Sequence, residues 1–390
     1  MTRPTAQAAR AVRAVRRSFG TPDDRTALGV WLLGHVAIFM TTTVGAALLA
    51  GGGRLDGFWF RWRRWDTALL IEIARFGYGG DPAQKPDPGL PAFFPGFPLA
   101  LRAVHVVVPN WTAAAMLISL AASAVLLVAL CRLGEMDGPP GAGRWAALAL
   151  TICPPAVFLF AGYTEALFLA FALPAWLLVR RDRWGWAVTC AALASCVRIT
   201  GLFLALALVV AFVQREVAER RAGHRPPMSR WVLPIVPFLP LAAYSLYLYA
   251  RTGDPAAWLA AQKAGWGREI VGPWQALTTT WDAAFHVHNG FTWAFRAELV
   301  AAAVGVLLTV VLAVRRRWPE FVYVGVQVGA LITSSFYLSI PRAALLWWPL
   351  WLLLGRLGVR RPWGFAIYGA LAVPLMISYV LVFTSGAWAG

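Results

Sequence analysis

The segment Ala27–Ala50 has the sequence ALGVWLLGHVAIFMTTTVGAALLA, in which His35 is the only ionisable side chain. A helix of about 20 apolar residues is long enough to cross a bilayer. The arginines that precede the segment are Arg3, Arg10, Arg13, Arg16, Arg17 and Arg25. Because the segment is longer than the apolar core of a cleaved signal peptide, we predict a retained first membrane span after a basic cytoplasmic N-terminal segment, residues 1–26.

Apolar segments of this kind recur along the whole chain. Of its 390 residues, 59% are hydrophobic and 14% are charged, whereas soluble proteins carry about 25% charged residues. Because helices satisfy their own backbone hydrogen bonds in lipid, the pattern predicts an all-α polytopic membrane protein. The formal net charge is +17, but the basic residues form short clusters between apolar segments, as topology signals do. We therefore expect no nucleic-acid partner.

We predict about eleven membrane spans in one integral-membrane domain, residues 27–390. Their approximate bounds are 27–50, 112–131, 145–161, 164–180, 185–197, 201–214, 231–250, 296–314, 319–338, 343–357 and 363–384. The fifth and sixth are shorter than a straight membrane-crossing helix. We expect them to be broken, or shielded from lipid by neighbouring helices.

The proline-containing apolar segment 92–108 decides the topology, because everything after it inverts if it spans. The positive-inside rule favours a surface or re-entrant amphipathic helix, since most basic clusters then fall on the cytoplasmic side. The N-terminus is then cytoplasmic and the C-terminus extracytoplasmic. Two long loops, 51–111 and 251–295, are then extracytoplasmic, and the first of them carries amphipathic surface helices.

Chemically informative side chains collect on this predicted extracytoplasmic side. They are Trp65, Asp66, Arg102 and His105 in the first loop, Tyr163 and Glu165 in a tight turn, Arg198 between two spans, Gln262, Trp266 and Arg268 in the second loop, and Arg342 in a late turn. Scattered structural charges would not segregate in this way, so the pattern predicts one extracytoplasmic site. It disfavours a transporter, which needs polar residues along a path through the membrane.

Each candidate also has a structural interpretation. Asp66 suits a general base, but it also suits the N-cap of a helix over 67–76 that ends at Gly77. Arg102 and His105 lie three residues apart and suit an interfacial anchor equally well. Glu165 suits the positive end of a helix dipole.

The other candidates leave the same choice open. Arg198 and Arg342, and less strongly Arg268, suit the phosphate of a ligand. An ion pair with Glu165 is the alternative for Arg198 and Arg342. Trp266, with Gln262 beside it, suits either sugar stacking or the aromatic belt of a membrane protein.

Neither a structural metal nor a disulfide framework is expected. Cys131, Cys153, Cys190 and Cys196 lie in or beside apolar segments and show no zinc-binding spacing. His286-Val287-His288 is only a weak metal pair. We predict no metal site and no obligate protein partner.

The chain resembles the PIG-V type of mannosyltransferase, also called GPI mannosyltransferase II, in the GT-C class of membrane glycosyltransferases. The resemblance rests on the order of several short motifs over residues 60–355. They are Arg64-Trp65-Asp66 with Ile73-Ala74 and Gly77-Tyr78, Phe93-Phe94-Pro95 with Phe97-Pro98, Pro155 with Tyr163-Thr164-Glu165-Ala166-Leu167-Phe168, Arg198 to Gly201, and Pro341-Arg342 with Pro349.

This resemblance implies a GT-C-like fold and an inverting transfer of mannose from a polyprenyl-phosphate-mannose donor, with Asp66 as general base. It also implies an extracytoplasmic site, but it does not carry over the acceptor. We expect an extracytoplasmic glycan or glycolipid acceptor, and no metal cofactor because arginines can stabilise the charge of a lipid monophosphate. The Arg- and Ala-rich composition is typical of a bacterial plasma-membrane protein. Two other functions stay open, namely a GT-C enzyme that uses another polyprenyl-phosphate sugar, such as glucose or arabinose, and a lipid-linked-sugar flippase or transporter.

Overall fold

The computed structural model describes residues 21–49, 57–224, 227–288 and 290–389, and within these ranges the chain is helical with no strand. The helices are α1 (Pro22–Leu49), α2 (Phe58–Trp62), α3 (Asp66–Phe76), α4 (Gly96–His105), α5 (Trp111–Asp137), α6 (Ala142–Thr151), α7 (Thr164–Arg180), α8 (Trp184–Val197), α9 (Thr200–Arg221), α10 (Leu239–Thr252), α11 (Ala257–Trp266), α12 (Pro273–Phe285), α13 (Thr292–Val314), α14 (Trp318–Ile332), α15 (Ile340–Ala343), α16 (Trp348–Arg360) and α17 (Pro362–Ser385). Short 3₁₀ segments lie at Leu90–Ala92, Pro154–Leu159, Met228–Phe238 and Ala344–Leu346. The predicted basic segment lies outside the described residues up to position 20.

Six helical segments of the described chain are long and apolar enough to cross a membrane. They are Pro22–Leu48, Trp111–Asp137, Thr200–Arg221, Met228–Thr252, Thr292–Val314 and Pro362–Ser385. The polytopic helical membrane architecture expected from the sequence is therefore confirmed. The count of eleven spans stays a prediction.

The remaining predicted spans correspond to shorter helices. Segment 145–161 is interrupted, because α6 ends at Thr151 and Pro154 begins a 3₁₀ segment. Helix α7 has 17 residues, and most of its side chains are buried against α5 and α8. Such shielding lets a short helix lie at membrane depth without exposing its ends to lipid.

The expectation of a short sixth span was wrong. Helix α9 continues from Thr200 to Arg221, well past the predicted end at residue 214. The added turns contain Arg215, Glu216 and Glu219, and Arg215 forms ion pairs with both of these carboxylates. Good helix-forming residues therefore extended a helix that the apolar pattern alone ends too early.

Segment 92–108 forms a short helix packed on the bundle. Helix α4 has 10 residues, or about 15 Å, which is roughly half of the hydrocarbon thickness. Its buried Phe97 and Leu101 belong to one apolar cluster with Leu70 of α3 and Ala114 of α5. A straight α4 is too short to cross, which agrees with the predicted surface or re-entrant placement.

Charged side chains form a network at one end of the bundle, here called the Asp137 end. The side chain of Asp137 is 2% exposed and accepts from Arg180 at 2.6 Å and Arg317 at 3.0 Å. Its backbone carbonyl accepts from Arg356 at 2.7 Å. Nearby on α5, Arg132 forms a two-pronged pair with Asp24 at the start of α1. Several predicted cytoplasmic arginines thus meet at one end.

The opposite end, here called the Asp66 end, carries the predicted site. Helix α7 links the two ends, because Glu165 lies in its first turn and Arg180 in its last, about 23 Å apart along the axis. Asp24 at the start of α1 lies at the Asp137 end, whereas Trp388 contacts Trp65 at the Asp66 end. The first and last described segments thus lie at opposite ends of the bundle.

This arrangement predicts the outcome of cysteine labelling. In a variant with the four native cysteines replaced, Gly79→Cys follows α3 at the Asp66 end and should react with an impermeant thiol reagent in intact cells. Ala222→Cys follows α9 at the Asp137 end and should react only after the membrane is opened. The cysteine-free parent is the control, and labelling of position 222 in intact cells would invert the topology.

Candidate functional site

Asp66 lies at a strained entry into α3. The preceding residue, Trp65, has φ 47° and occupies the N-cap position without a side-chain capping hydrogen bond. Asp66 is the first residue of α3 and Gly77 is its C-cap, so the predicted helix end is confirmed but Asp66 is not the N-cap. Backbone strain of this kind costs about 1–3 kcal/mol and is concentrated at functional sites.

Asp66 belongs to an ion cluster of four residues. Arg342 lies at its centre, with Nη2 at 2.7 Å from Asp66 Oδ2 and Nε at 2.5 Å from Glu165 Oε1. The same Glu165 oxygen accepts from Arg198 Nη1 at 2.6 Å, and that nitrogen also donates to Thr164 Oγ1 at 2.5 Å. Arg198 and Arg342, which lie 33 and 177 positions after Glu165 in sequence, therefore both contact it.

The four members of the ion cluster differ in their access to solvent. The side chain of Glu165 is fully buried, and its Oε2 has no hydrogen-bond partner among the described residues. Arg342 is 10% exposed, Asp66 is 14% exposed and Arg198 is 22% exposed. Asp66 is therefore the more exposed carboxylate, whereas Glu165 holds the two arginines from the inside.

Tyr163 forms part of the wall behind Arg342. Its ring centre lies 4.6 Å from the Arg342 guanidinium carbon, within the range of a cation–π contact. The side chain is buried, and its hydroxyl donates to the backbone carbonyl of Arg64 at 3.3 Å. Its observed contacts orient Arg342 and the segment before Asp66.

Arg342 is positioned by a turn that the sequence pattern did not reveal. Ser339 has φ 62°, in the left-handed region. The carboxylate of Glu298 accepts from Ser339 N at 2.6 Å and from Ile340 N at 2.7 Å. Glu298 is 3% exposed within apolar helix α13, and an acid at such a position was the one sequence signal for its role.

Arg268 lies beside this turn. Its Nη2 donates to the Leu338 carbonyl at 2.7 Å, and its Nε has no hydrogen-bond partner among the described residues. Burial of the guanidinium lowers the pKa of Arg268 to about 10, so the side chain remains cationic at neutral pH. It adds a third positive charge that interacts with Asp66, Arg198 and Arg342.

Aromatic side chains from distant segments flank the ion cluster. Trp65 is 44% exposed and meets Trp388 edge to face, with ring centres 5.3 Å apart. Trp266 meets Phe93 at 5.6 Å and, together with Glu298 and Trp388, lines a cavity of about 210 Å³. Gln262, one turn earlier on α11, is half-buried, and its backbone carbonyl accepts from Arg268 N.

Two predicted candidates have their described contacts elsewhere. Arg102 Nε donates to the Ala74 carbonyl at the end of α3, at 2.8 Å. His105 stacks on Trp111 with ring centres 3.5 Å apart. These contacts fasten α4 to α3 and to the start of α5, as expected of the structural alternative.

The comparisons with known proteins assign no family. No protein-family model matches the chain, and no curated protein shows significant similarity to it. Within the described ranges, no group of three or more His, Cys, Asp or Glu side chains is arranged to hold a metal ion. The fold and the site together define a polytopic helical membrane protein with a buried ion cluster at one end.

The ion cluster predicts a large effect of Glu165→Gln. Removing this charge leaves Arg198 and Arg342 without their shared buried partner, and breaking a buried pair costs about 3–5 kcal/mol. We expect lower expression and a clearly lower thermal unfolding temperature in detergent.

Glu269→Gln is the matched control. Glu269 pairs with Lys263 at 2.9 Å, but the two side chains are 52% and 65% exposed. An exposed pair contributes about 0–1 kcal/mol, so the control should unfold close to the parent. Equal unfolding temperatures for the two variants would contradict a stabilising role of the buried cluster.

Proposed function

We propose that this protein is an inverting glycosyltransferase that moves a mannosyl residue from polyprenyl-phosphate-mannose to a glycan or glycolipid acceptor. The proposal rests on one observation above all. A partly exposed carboxylate, Asp66, shares an arginine with a sealed carboxylate, Glu165, at one end of a membrane-embedded bundle. The motif resemblance to PIG-V-type enzymes supplies the sugar and the lipid carrier.

The arginines suit the leaving group of this reaction. A polyprenyl-phosphate sugar is a phosphodiester. When the sugar is transferred, the leaving group is a lipid monophosphate that carries one more negative charge. Guanidinium groups bind phosphate oxygens in a planar, two-pronged geometry, and preorganised cations stabilise charge that develops in the transition state. Arg198 and Arg342 are the donor-phosphate candidates, and the nearby charge of Arg268 supports them.

Asp66 suits the role of general base. In the proposed step, an acceptor hydroxyl attacks the anomeric carbon from the face opposite the phosphate. A new carbon–oxygen bond forms, the carbon–oxygen bond to the phosphate breaks, and the hydroxyl proton passes to Asp66. The configuration inverts, as in glycosidases that activate a nucleophile with a carboxylate. The exposed ring of Trp65 lies beside Asp66 in sequence and suits stacking against a sugar.

The ion cluster suggests how donor binding prepares the base. Arg342 Nη2 lies 2.7 Å from Asp66 Oδ2, so this carboxylate is held by the guanidinium. A bound phosphate competes for the same guanidinium. Asp66 is then released to meet the acceptor hydroxyl, so that proton removal is tied to donor binding.

The distribution of charge supports an extracytoplasmic location for the site. The arginines of the Asp137 end belong to the basic clusters that the positive-inside rule assigns to the cytoplasm. The Asp66 end is then extracytoplasmic, on the plasma membrane of a bacterium. A lipid carrier reaches this end from within the bilayer, and the acceptor reaches it from outside.

The test is a transfer assay on membranes with radiolabelled polyprenyl-phosphate-mannose. Asp66→Asn preserves size but removes the base, and we expect turnover to fall by at least about 100-fold, the usual scale of general base catalysis. Asp81→Asn is the control, because Asp81 lies in the same loop but caps a local turn through Ala83 N. It should keep near-parent turnover.

Three results would contradict the proposal at different levels. Near-normal turnover of a folded Asp66→Asn variant would remove Asp66 from the mechanism. Transfer of glucose or arabinose, but not of mannose, from the corresponding lipid carriers would keep the reaction and change the sugar. Absence of transfer from all three donors would contradict the glycosyltransferase assignment itself.

A further inference from the structure

A second cavity lies beside the first helix, away from the contacts of the ion cluster. It measures about 440 Å³ and is bounded by the middle of α1, by α2, by the first three turns of α5 and by Phe160. Its walls are almost entirely apolar. Phe39, Met40 and Leu117 line it and are 44–51% exposed, and α1 and α5 are both long enough to cross a membrane. The cavity therefore opens sideways, towards lipid.

Two polar atoms in these walls have no hydrogen-bond partner among the described residues. One is the indole Nε1 of Trp62, a side chain that is 2% exposed. The other is Nε2 of His35. Both side chains line the cavity. Leaving buried polar groups unsatisfied is unfavourable, so the pair calls for an explanation.

The two atoms have opposite hydrogen-bonding roles. The indole Nε1 is only a donor. His35 Nδ1 lies 2.8 Å from the Trp31 carbonyl, which only accepts, so the ring proton is on Nδ1. In a neutral ring Nε2 is then an acceptor. The side chains that line the cavity thus carry one unpaired donor and one unpaired acceptor.

We propose that this cavity binds a membrane lipid through a hydroxyl group, with the hydroxyl oxygen accepting from Trp62 and its proton donated to His35. A hydroxyl is the smallest group that does both. A pure hydrocarbon chain leaves both polar atoms unsatisfied. A phosphate or carboxylate head meets no Lys or Arg among the lining residues. A soluble ligand would have to enter through the bilayer.

The binding site is independent of the proposed glycosyl transfer. It involves none of the four ion-cluster residues, and its test measures lipid binding and not turnover. The probe is hexadecanol that carries a photoreactive diazirine in its chain, with the corresponding methyl ether as the matched control. The purified full-length chain is placed in nanodiscs of dioleoylphosphatidylcholine, a lipid without hydroxyl groups, and cross-linked peptides are located by mass spectrometry.

We expect cross-links in residues 31–40, 58–62 or 113–120 or at Phe160, at least about fivefold stronger with the alcohol than with its ether. Trp62→Phe keeps the ring but removes the donor, and His35→Leu removes the acceptor. Each should lower labelling by about three- to tenfold, the factor expected for one hydrogen bond. Trp59→Phe is the control, because Trp59 lines the same cavity but is 45% exposed.

Three labelling outcomes would count against the proposed lipid site. Equal labelling by alcohol and ether, labelling outside these segments, or equal labelling of the parent and the His35→Leu variant would overturn the proposal. If Trp62→Phe fails to fold, His35→Leu decides alone. Unlabelled dioleoylglycerol and undecaprenol then serve as competitors. Displacement by either supports the site and identifies a glycerol-based or a polyprenol source, whereas displacement by neither overturns it.

Discussion

The arrangement of the Asp66 end depends on the buried guanidinium of Arg342. One charge placed between Asp66 and Glu165 joins the start of α3 to the start of α7 and to the short helix α15. An isolated cation at 10% exposure would be strongly unfavourable. Its two carboxylate partners therefore make the three chain segments depend on one another. A change in any one of them alters the exposed carboxylate.

The surrounding fold maintains this interaction because helices end shortly before Glu165 and shortly before Arg342. Helix α6 ends at Thr151, and a 3₁₀ segment begins at Pro154. This break lets the chain reach Tyr163 and start α7 with Glu165 buried inside the protein. The turn before α15 is held by Glu298 from α13. Short, shielded helices thus bring charged residues to one end of the bundle, while longer helices such as α5 and α13 meet the length requirement of a bilayer.

The sequence was sufficient to find the membrane architecture and the main members of the ion cluster. Asp66, Glu165, Arg198 and Arg342 each lie where an apolar segment meets a turn on the same predicted side, and there a lone charge needs a partner. The sequence alone did not decide between an ion pair and a phosphate ligand, because Arg342 and Glu165 are 177 positions apart. For Arg198 and Arg342, the ion pair with Glu165 weighed in the sequence analysis is present.

Other parts of the site were hidden for physical reasons. The role of Glu298 was not predicted, because its partners are backbone N–H groups of a distant turn. No side-chain motif in the sequence marks such partners. Arg102 and His105 were grouped with the site because they share its loop, but α4 turns them towards Ala74 and Trp111. The length of α9 was underestimated because its last turns are polar, although they favour a helix.

The central claim is that a donor phosphate displaces Asp66 from Arg342, and donor affinity tests it most directly. Binding of polyprenyl-phosphate-mannose would be measured in nanodiscs for the parent, Asp66→Asn and Arg342→Lys. The account predicts that Asp66→Asn binds donor as tightly as the parent or up to about tenfold more tightly, because its competitor carboxylate is gone. Arg342→Lys should bind about tenfold more weakly, since a two-pronged phosphate contact is lost. Weaker binding by Asp66→Asn, with parent-like binding by Arg342→Lys, would contradict the account.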